Sequence, residues 1–358
     1  MSDYDYGNAR LRAMKSRLLN QREYEQLIET DSLENLITTL SRTAYRRSIE
    51  IALARGTGID CIKDALHTDL ISTIDKIRRF YPPKEDELVA IVLHEYDLHN
   101  IKSILRGLSK HVTSGEILST LLPVGELQFG LMIELARASG PRGVIDLMVS
   151  MGLKFAQPLV QLRSVRPGAE LFEMELALTR WHQREAREQL KNVTESSEPL
   201  TSMLNLEADL TNLLTVLRFI HIPAEYKYLR QQIGSEDLTY LFIGPGYLSI
   251  ALLLKVASQE NLTSGLQILS DTRYSSIIQR GMERYARSGR LSEIEKSLRS
   301  YDLEWRARLI AADPLGIGVL VGYLALKTNE INNIRQIANQ ISVGMKADTI
   351  RSELEFRG

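Results

Sequence analysis

Apolar residues recur at spacings of three, four and seven along almost the whole chain, and the alternation typical of β-strands is scarce. Between residues 59 and 79 they form a single stripe of a helix, made of Ile62, Leu66, Leu70, Ile74 and Ile77. Prolines and glycines interrupt the pattern at short intervals. The pattern therefore predicts an all-α fold whose helices, roughly 10 to 25 residues long, are joined by short connections.

One short motif, an acid three positions before an asparagine, recurs four times with similar apolar neighbours. The clearest pair is EYDLHNIKSILR at residues 95–106 and EADLTNLLTVLR at residues 207–218. The four copies contain Asp5 and Asn8, Asp97 and Asn100, Asp209 and Asn212, and Glu330 and Asn333. Successive asparagines are 92, 112 and 121 residues apart. The motif therefore marks the ends of three long intervals.

Two further elements recur between these markers. The first contains Leu33, Ile37, Leu40, Thr43 and Tyr45, matched at identical spacing by Leu262, Leu266, Leu269, Thr272 and Tyr274 and more weakly by Val144, Leu147 and Ser150. The second begins at Gly58, Gly168 and Gly289, which precede the next asparagine by 42, 44 and 44 residues. This ordered recurrence predicts three diverged helical modules, at residues 1–90, 91–203 and 204–358, with a closing repeat helix in the last.

The marker helix combines a buried seam with a polar pair. Leu98, Ile101 and Leu105 fall on one stripe, and the acid and the asparagine are neighbours on an adjoining face. A buried asparagine needs partners for its amide, and an acid one turn away is able to accept one of its N–H bonds. We therefore interpret the eight acids and asparagines of the four markers as polar joints between helices.

An alternative interpretation is that the marker helices line a shared surface that faces a partner protein. The candidate partner-facing residues are Arg10, Arg12, Glu95, Lys102, Arg106, Glu207, Arg218 and Arg335. The first two belong to a basic face of the first helix; a solvated face is the default explanation, and contact with an acidic partner is the alternative.

Charge and cysteine content exclude several classes of function. The 44 Lys and Arg nearly cancel the 45 Asp and Glu, so the basic excess of a dedicated nucleic-acid-binding protein is absent. Cys61 is the only cysteine, which excludes an internal disulfide and a cysteine-rich zinc site.

The longest uncharged stretch, 17 residues from Leu238 to Leu254, contains a Gly-Pro-Gly break. We therefore expect no signal peptide and no transmembrane helix, and only indirect contact with a membrane.

No catalytic motif is complete. His94 and His99 are five residues apart, whereas the zinc-protease helix needs a spacing of four to place both on one face. The glycines at 316, 318 and 322 have one residue too many for a dinucleotide fingerprint, and no phosphate-binding P-loop is present. Cys61 lies in an apolar helix, as a buried inert thiol does. We therefore expect no catalytic residue, no cofactor and no metal.

The combination of these features resembles the C subunit of the A-/V-type rotary ATPases, the counterpart of the d subunit of eukaryotic V-ATPases. The resemblance rests on the opening segment YDYGNARLRAM at residues 4–14, on the helix EYDLHNIKSILRG at residues 95–107, and on the later copies of that helix. It covers the whole chain. One detail is unexpected, since Gly7 weakens the helix in which it lies.

The resemblance implies a funnel of three similar helical modules in pseudo-threefold arrangement. It also implies a non-catalytic protein, peripheral on the cytoplasmic face of the membrane, acting as the socket between the central shaft and the membrane rotor ring of a proton- or sodium-translocating ATPase. The alternative is a helical-repeat scaffold for protein interaction, although such repeats are numerous and shorter than these. An all-α enzyme is a third interpretation, disfavoured by the missing site chemistry.

Overall fold

The computed structural model describes residues 4–81, 87–193, 197–223, 227–228, 231 and 237–354. All regular secondary structure in these ranges is helical, which confirms the all-α prediction. The helices of the first half are α1 (Asp5–Lys15), α2 (Gln21–Ile28), α3 (Leu33–Leu40), α4 (Arg46–Leu53), α5 (Gly58–Phe80), α6 (Glu87–Ser109), α7 (Ser114–Thr120), α8 (Phe129–Ala136), α9 (Pro141–Ser150) and α10 (Ala156–Val165). The second half contains α11 (Leu171–Asn192), α12 (Glu198–His221), α13 (Ile250–Ala257), α14 (Leu262–Ile268), α15 (Ser275–Ser288), α16 (Ser292–Ala312), α17 (Gly318–Ser342) and α18 (Ala347–Glu353), with short 3-10 turns at Leu238–Leu241 and Leu269–Asp271.

Several helices begin where side chains satisfy the first backbone N–H groups. Asn20 accepts a hydrogen bond from the Glu23 amide at 3.1 Å, and Glu23 accepts one from the Asn20 amide at 2.8 Å, which starts α2. Thr113 and Glu116 form the same reciprocal pair at the start of α7. These capping boxes remove two unpaired donors each, and thus stabilise short helices that have few turns of their own.

The chain forms two compact units. Of the described residues, those from 4 to 178 and from 307 to 354 form the first unit, and those from 179 to 306 form the second. The closing helix α17 therefore belongs to the same unit as the N-terminal helices. The division into three modules at residues 1–90, 91–203 and 204–358 stays a prediction.

The predicted apolar stripe of α5 is buried in the core of the first unit: Ile62, Leu66, Leu70, Ile74 and Ile77 are all at most 1% exposed. Cys61 lies beside them, and burial raises the pKa of its thiol, so the thiol packs as a small apolar group. The core of the second unit joins α12 to the helices that follow it, through Leu213, Leu217, Val256, Leu266, Tyr274 and Ile294 among others. Within the described ranges, no helix is both long enough and apolar enough to span a bilayer.

Candidate functional site

Asp97 and Asn100 of α6 are fully buried and bind the loop that leads from α7 to α8. The Asn100 amide donates to the Leu122 carbonyl at 2.6 Å and accepts from the Leu122 amide at 2.8 Å. The Asp97 carboxylate accepts from the backbone amides of Glu126 at 2.8 Å and Leu127 at 3.0 Å. Both side chains thus hold main chain, and their hydrogen bonds go to the loop instead of to each other. We call Asp97, Asn100 and loop 121–127 the middle joint.

The same arrangement recurs in the second unit, on α12. Asn212 donates to the Gly244 carbonyl at 3.0 Å and accepts from the Ile243 amide at 2.9 Å. The Asp209 carboxylate accepts from the backbone amides of residues 247 and 248 at 3.0 and 2.9 Å. We call Asp209, Asn212 and loop 242–248 the third joint. Two marker pairs, far apart in sequence, therefore each hold a loop by four hydrogen bonds of the same kinds, although Asn212 bonds two successive residues and Asn100 only one.

A glycine makes each of these loops possible. A side chain at Gly125 would overlap the Asp97 carboxylate, and one at Gly246 would overlap the Asp209 carboxylate. The backbone approaches the acid this closely only where no Cβ is present. Arg78 of α5 donates to the Gly125 carbonyl and supports the middle loop from its other side.

The first joint is completed by the closing helix. Glu330 of α17 accepts from the Leu19 amide at 2.5 Å and from the Tyr45 hydroxyl at 2.7 Å. Asn333 hydrogen-bonds the hydroxyl of Tyr24. We call Glu330, Asn333 and the segment 19–24 the first joint. The last copy of the marker therefore holds the helices at the start of the chain, 311 residues away in sequence at the Leu19 contact.

A buried lysine accompanies the acid in this first joint. Lys327 lies 3.0 Å from the Glu330 carboxylate and 2.8 Å from the carboxylate of Asp69 on α5, and it donates to the Tyr45 hydroxyl at 2.8 Å. Burial alone would lower the pKa of Lys327, but the carboxylates of Glu330 and Asp69 outweigh it and raise that pKa. The lysine therefore stays charged and neutralises part of the buried negative charge.

The first copy of the marker, on α1, has a different partner. Asn8 donates to the Gly316 carbonyl at 3.1 Å and accepts from the Tyr81 hydroxyl at 2.5 Å. It thereby holds the loop that leads into α17. Asp5 is exposed in the first turn of α1, where a negative charge favours the helix dipole. In this copy only the asparagine forms a buried joint.

A tyrosine completes two of the three joints. The Tyr274 hydroxyl donates to the Asp209 carboxylate at 2.6 Å, just as Tyr45 donates to Glu330. Each of these tyrosines directly precedes a helix, α15 and α4 respectively. The residue directly before the equivalent helix α10 is Phe155. The connection from α9 to α10, residues 151–155, has the same length as the connection from α3 to α4, residues 41–45, so Phe155 occupies the position of Tyr45.

The acid of the middle joint resists ionisation. Burial raises the pKa of Asp97 to about 6, partly offset by its two backbone hydrogen bonds. Burial and the neighbouring carboxylates also raise the pKa of Tyr45 and of Tyr274, so both phenols remain hydrogen-bond donors. The middle joint is thus a buried carboxylate without a phenol partner.

Two of the partner-facing candidates form equivalent ion pairs within the chain. Two of the guanidinium nitrogens of Arg106 on α6, Nε and Nη2, each lie 2.6 Å from an oxygen of the Glu175 carboxylate of α11. Arg218, at the equivalent position of α12, contacts one carboxylate oxygen of Glu295 on α16 at 2.9 and 2.7 Å. Each arginine side chain is still about half exposed, so both lie at the surface.

Three further candidates are engaged or partly covered by their own helices and loops. Arg335 of α17 donates to the carbonyls of residues 120 and 121 at 3.2 and 2.9 Å, and burial lowers its pKa to about 10. Glu207 accepts from Gln183 at 2.8 Å. Lys102 is half-buried on α6.

The other three candidates lie on α1 and α6. Arg10 is exposed and stacks on the rings of Tyr6 and Phe80. Arg12 donates to the carbonyl of residue 314. Glu95 is half-buried on α6. The structure therefore brings the eight candidates into varied environments, and their contact with a partner stays a prediction.

The joints hold the backbone in place through hydrogen bonds. Their carboxylates and amides are bound to main-chain groups or phenols, and no nucleophile is paired with a base in the contacts described above. Sequence reasoning identified the acids and asparagines but missed Tyr24, Tyr81, Lys327 and Asp69. A signal for the tyrosines that complete two joints was present, since Tyr45 and Tyr274 matched at identical spacing.

Comparison with known proteins agrees with this description. The sequence profile of the family described as ATP synthase (C/AC39) subunit matches residues 7–353. The A-type ATP synthase C subunit of Pyrococcus abyssi is 26% identical over 351 residues, covering 97% of this chain and 89% of the relative. The C subunits of the A-type ATP synthases of Haloferax volcanii and Haloquadratum walsbyi are 26% and 24% identical, covering 99% and 98% of this chain and 97% and 98% of their own lengths.

Proposed function

The chain belongs to the ATP synthase (C/AC39) subunit family, and from that premise we propose that it is the socket between the rotating shaft and the membrane ring of an A-/V-type rotary ATPase. In this role it carries torque and has no active site of its own. Family membership already makes it a subunit of such an ATPase, as its sequence resemblance predicted. The shaft and the ion-carrying ring are the proposed partners, and the cytoplasmic face of the membrane is the proposed location.

The observation that best supports this role is the set of buried polar joints. Each joint ties a loop or a turn to the middle of a long helix through several hydrogen bonds that water cannot replace without exposing a carboxylate or an amide. Breaking such a bond leaves buried polar groups unpaired, which costs about 1–3 kcal/mol each. A protein that carries torque must resist local unfolding, whereas an enzyme must have an active site.

The partner surfaces are part of the same proposal. Arg10, Arg12, Arg106 and Arg218 present accessible cationic groups, and charge complementarity at such positions favours an acidic partner surface. The pseudo-threefold funnel of three modules would place equivalent marker helices around one axis. Contact with the membrane would then be through the ring.

The test is made in the native host, with the gene for this chain deleted or restored. We expect the restored protein to co-purify with the shaft and ring proteins, and its loss to abolish ATP-driven ion pumping while ATP hydrolysis by the remaining complex persists. If the protein purifies free of the ATPase and pumping remains coupled without it, the proposal is wrong. Binding of unrelated extended peptides by the free protein would instead favour a helical-repeat scaffold.

A further inference from the structure

In each of the three joints the marker acid accepts a hydrogen bond from a backbone amide, but the other partners of the acid differ. In the first joint, Glu330 has the Tyr45 hydroxyl and the Lys327 ammonium as partners. In the third joint, Asp209 has the Tyr274 hydroxyl. In the middle joint, Asp97 receives only backbone amides among the contacts of the described residues. Among these contacts, the carboxylate of the middle joint is therefore the one with neither a hydroxyl nor an ammonium group as a partner.

Two substitutions within the repeat explain this difference. Phe155 occupies the place of the two tyrosines and is only 5% exposed, so an apolar ring replaces the phenol. Three residues before the acid, where the first joint has Lys327, the middle joint has His94. The Phe155 ring packs edge-on against His94, with centroids 5.9 Å apart, one helical turn from Asp97. Neither of these two side chains supplies a hydroxyl or a permanent cation.

Charged groups act on Asp97 and its loop from α6, from α5, from the loop itself and from the turn before α10. His94, on the same helix, faces the Glu126 carboxylate at 3.2 Å and is thus engaged by the loop. Arg78 of α5 donates to a loop carbonyl and not to the carboxylate. Lys154, next to Phe155, adds its positive charge near Glu126. Burial consequently dominates, and the pKa of Asp97 rises to about 6.

We propose that the middle joint is a proton-tightened joint: at neutral pH loop 121–127 opens more readily than its counterpart loop 242–248, and proton uptake by Asp97 closes it. Phe155 is the residue that creates this difference, because it denies Asp97 the phenol that stabilises the acid elsewhere. The inference goes beyond the coupling role and does not depend on it. In a torque-carrying protein, this loop would be the first place to yield.

Proton linkage determines the direction in which pH changes the opening of loop 121–127. In the closed joint Asp97 titrates at about 6, whereas in an open, solvated loop it would titrate near its ordinary value of 3.8. The closed state therefore binds the proton more tightly, and ionisation favours opening. The opening equilibrium rises as pH increases from about 4 to 6.5 and then levels off, by up to roughly a hundredfold over those two pKa units.

Opening of this loop would also affect the closing helix. Arg335 of α17 binds the Thr120 and Leu121 carbonyls at the start of the same loop. Arg335 is half-buried, and it would lose both of these hydrogen bonds if the loop moved away. The joint thus links α6, α5 and α17 through one short segment, and its opening loosens all three.

Native-state hydrogen exchange on the intact protein tests the proposal. Exchange of peptides covering 121–128 and 242–249 is followed by mass spectrometry between pH 5 and 7.5, with correction for the intrinsic pH dependence of amide exchange. We expect protection of the first peptide to fall by about tenfold as pH rises over this range, and protection of the second to change by no more than about twofold. Equal pH dependence of the two loops would overturn the proposal.

Reciprocal substitutions provide the matched control. Phe155→Tyr should restore a phenol partner, raise protection of loop 121–127 at pH 7.5 and flatten its pH dependence. Tyr274→Phe should create pH dependence in loop 242–248, and this variant keeps the test decisive if Phe155→Tyr does not fold. If Tyr274→Phe folds without any gain of pH dependence, position 155 is not the determinant. These measurements need no ATPase, so their failure would leave the coupling role standing.

Discussion

At the scale of single residues, the acid and the asparagine of the markers on α6 and α12 act as substitutes for backbone partners. Loops 121–127 and 242–248 have no neighbouring strand or helix turn to pair with at their centres, and Asn100 and Asn212 supply both a donor and an acceptor there. The two oxygens of the marker carboxylate then accept hydrogen bonds from two further backbone amides of the same loop. This chemistry explains why a short amide and an acid recur together at a spacing of three.

The cost of losing one asparagine is predictable from these bonds. Asn100→Ala and Asn212→Ala each leave a buried amide and a buried carbonyl unpaired, so we expect a loss of about 2–4 kcal/mol in the free energy of unfolding. Denaturant unfolding monitored by circular dichroism measures it. Asn332→Ala is the control, because Asn332 is exposed on α17 and its loss should change stability by less than about 0.5 kcal/mol. Equal effects at buried and exposed positions would contradict the role of the joints.

At the scale of elements, α1 shows how a locally unfavourable residue is required by packing. A Cβ at Gly7 would lie 2.5 Å from the ring of Tyr81, so only glycine lets α1 approach the end of α5. The same Tyr81 donates to Asn8, which in turn holds the loop before α17. The helix-weakening glycine noticed in the sequence is thus the contact point between three segments of the first unit.

Gly7→Ala should therefore destabilise the protein, although alanine favours an isolated helix by about 1 kcal/mol. We expect a loss of about 1–3 kcal/mol from displacement of the Tyr81 ring, typical of overpacking. Gly115→Ala in α7 is the control, since nothing lies within 4 Å of its added Cβ, and it should be neutral or stabilising. Thermal melting of both variants measures the difference. A stabilising Gly7→Ala would show that the approach of α1 to Tyr81 is not required.

At the scale of the whole molecule, the two surface arginines test which residues meet a partner. Exposed ion pairs contribute only about 0–1 kcal/mol to the free energy of unfolding. The Arg106–Glu175 and Arg218–Glu295 pairs therefore add little to the stability of the fold. Their equivalent positions on α6 and α12 make them candidates for contact with the shaft or the ring. Effects on stability and on partner binding can be separated, because each arginine is paired with one carboxylate and the two charges of the pair can be swapped.

Charge reversal of Arg106 and Arg218 to Glu should lower melting temperature by a few degrees at most and weaken assembly with the ATPase. Reversing Glu175 and Glu295 to Arg in the same chain restores attraction within each pair, and should recover melting temperature without recovering assembly. Pull-down of the remaining ATPase proteins measures assembly. Full recovery of assembly by the exchanged pairs would show that these arginines are structural only.

Much of this protein is determined by local sequence. Helical periodicity, the stripe of α5, the four markers and the family are all legible in the chain, because helix pattern and short motifs depend on residues within one or two turns. Only the tertiary structure decided which partners the markers take. Glu330 meets Leu19 and Tyr45 across 311 and 285 residues, and the bounds of α10 show that Phe155 takes the position that a tyrosine has before α4 and α15. Such pairings depend on how buried faces of distant helices pack, and packing carries no fixed sequence spacing.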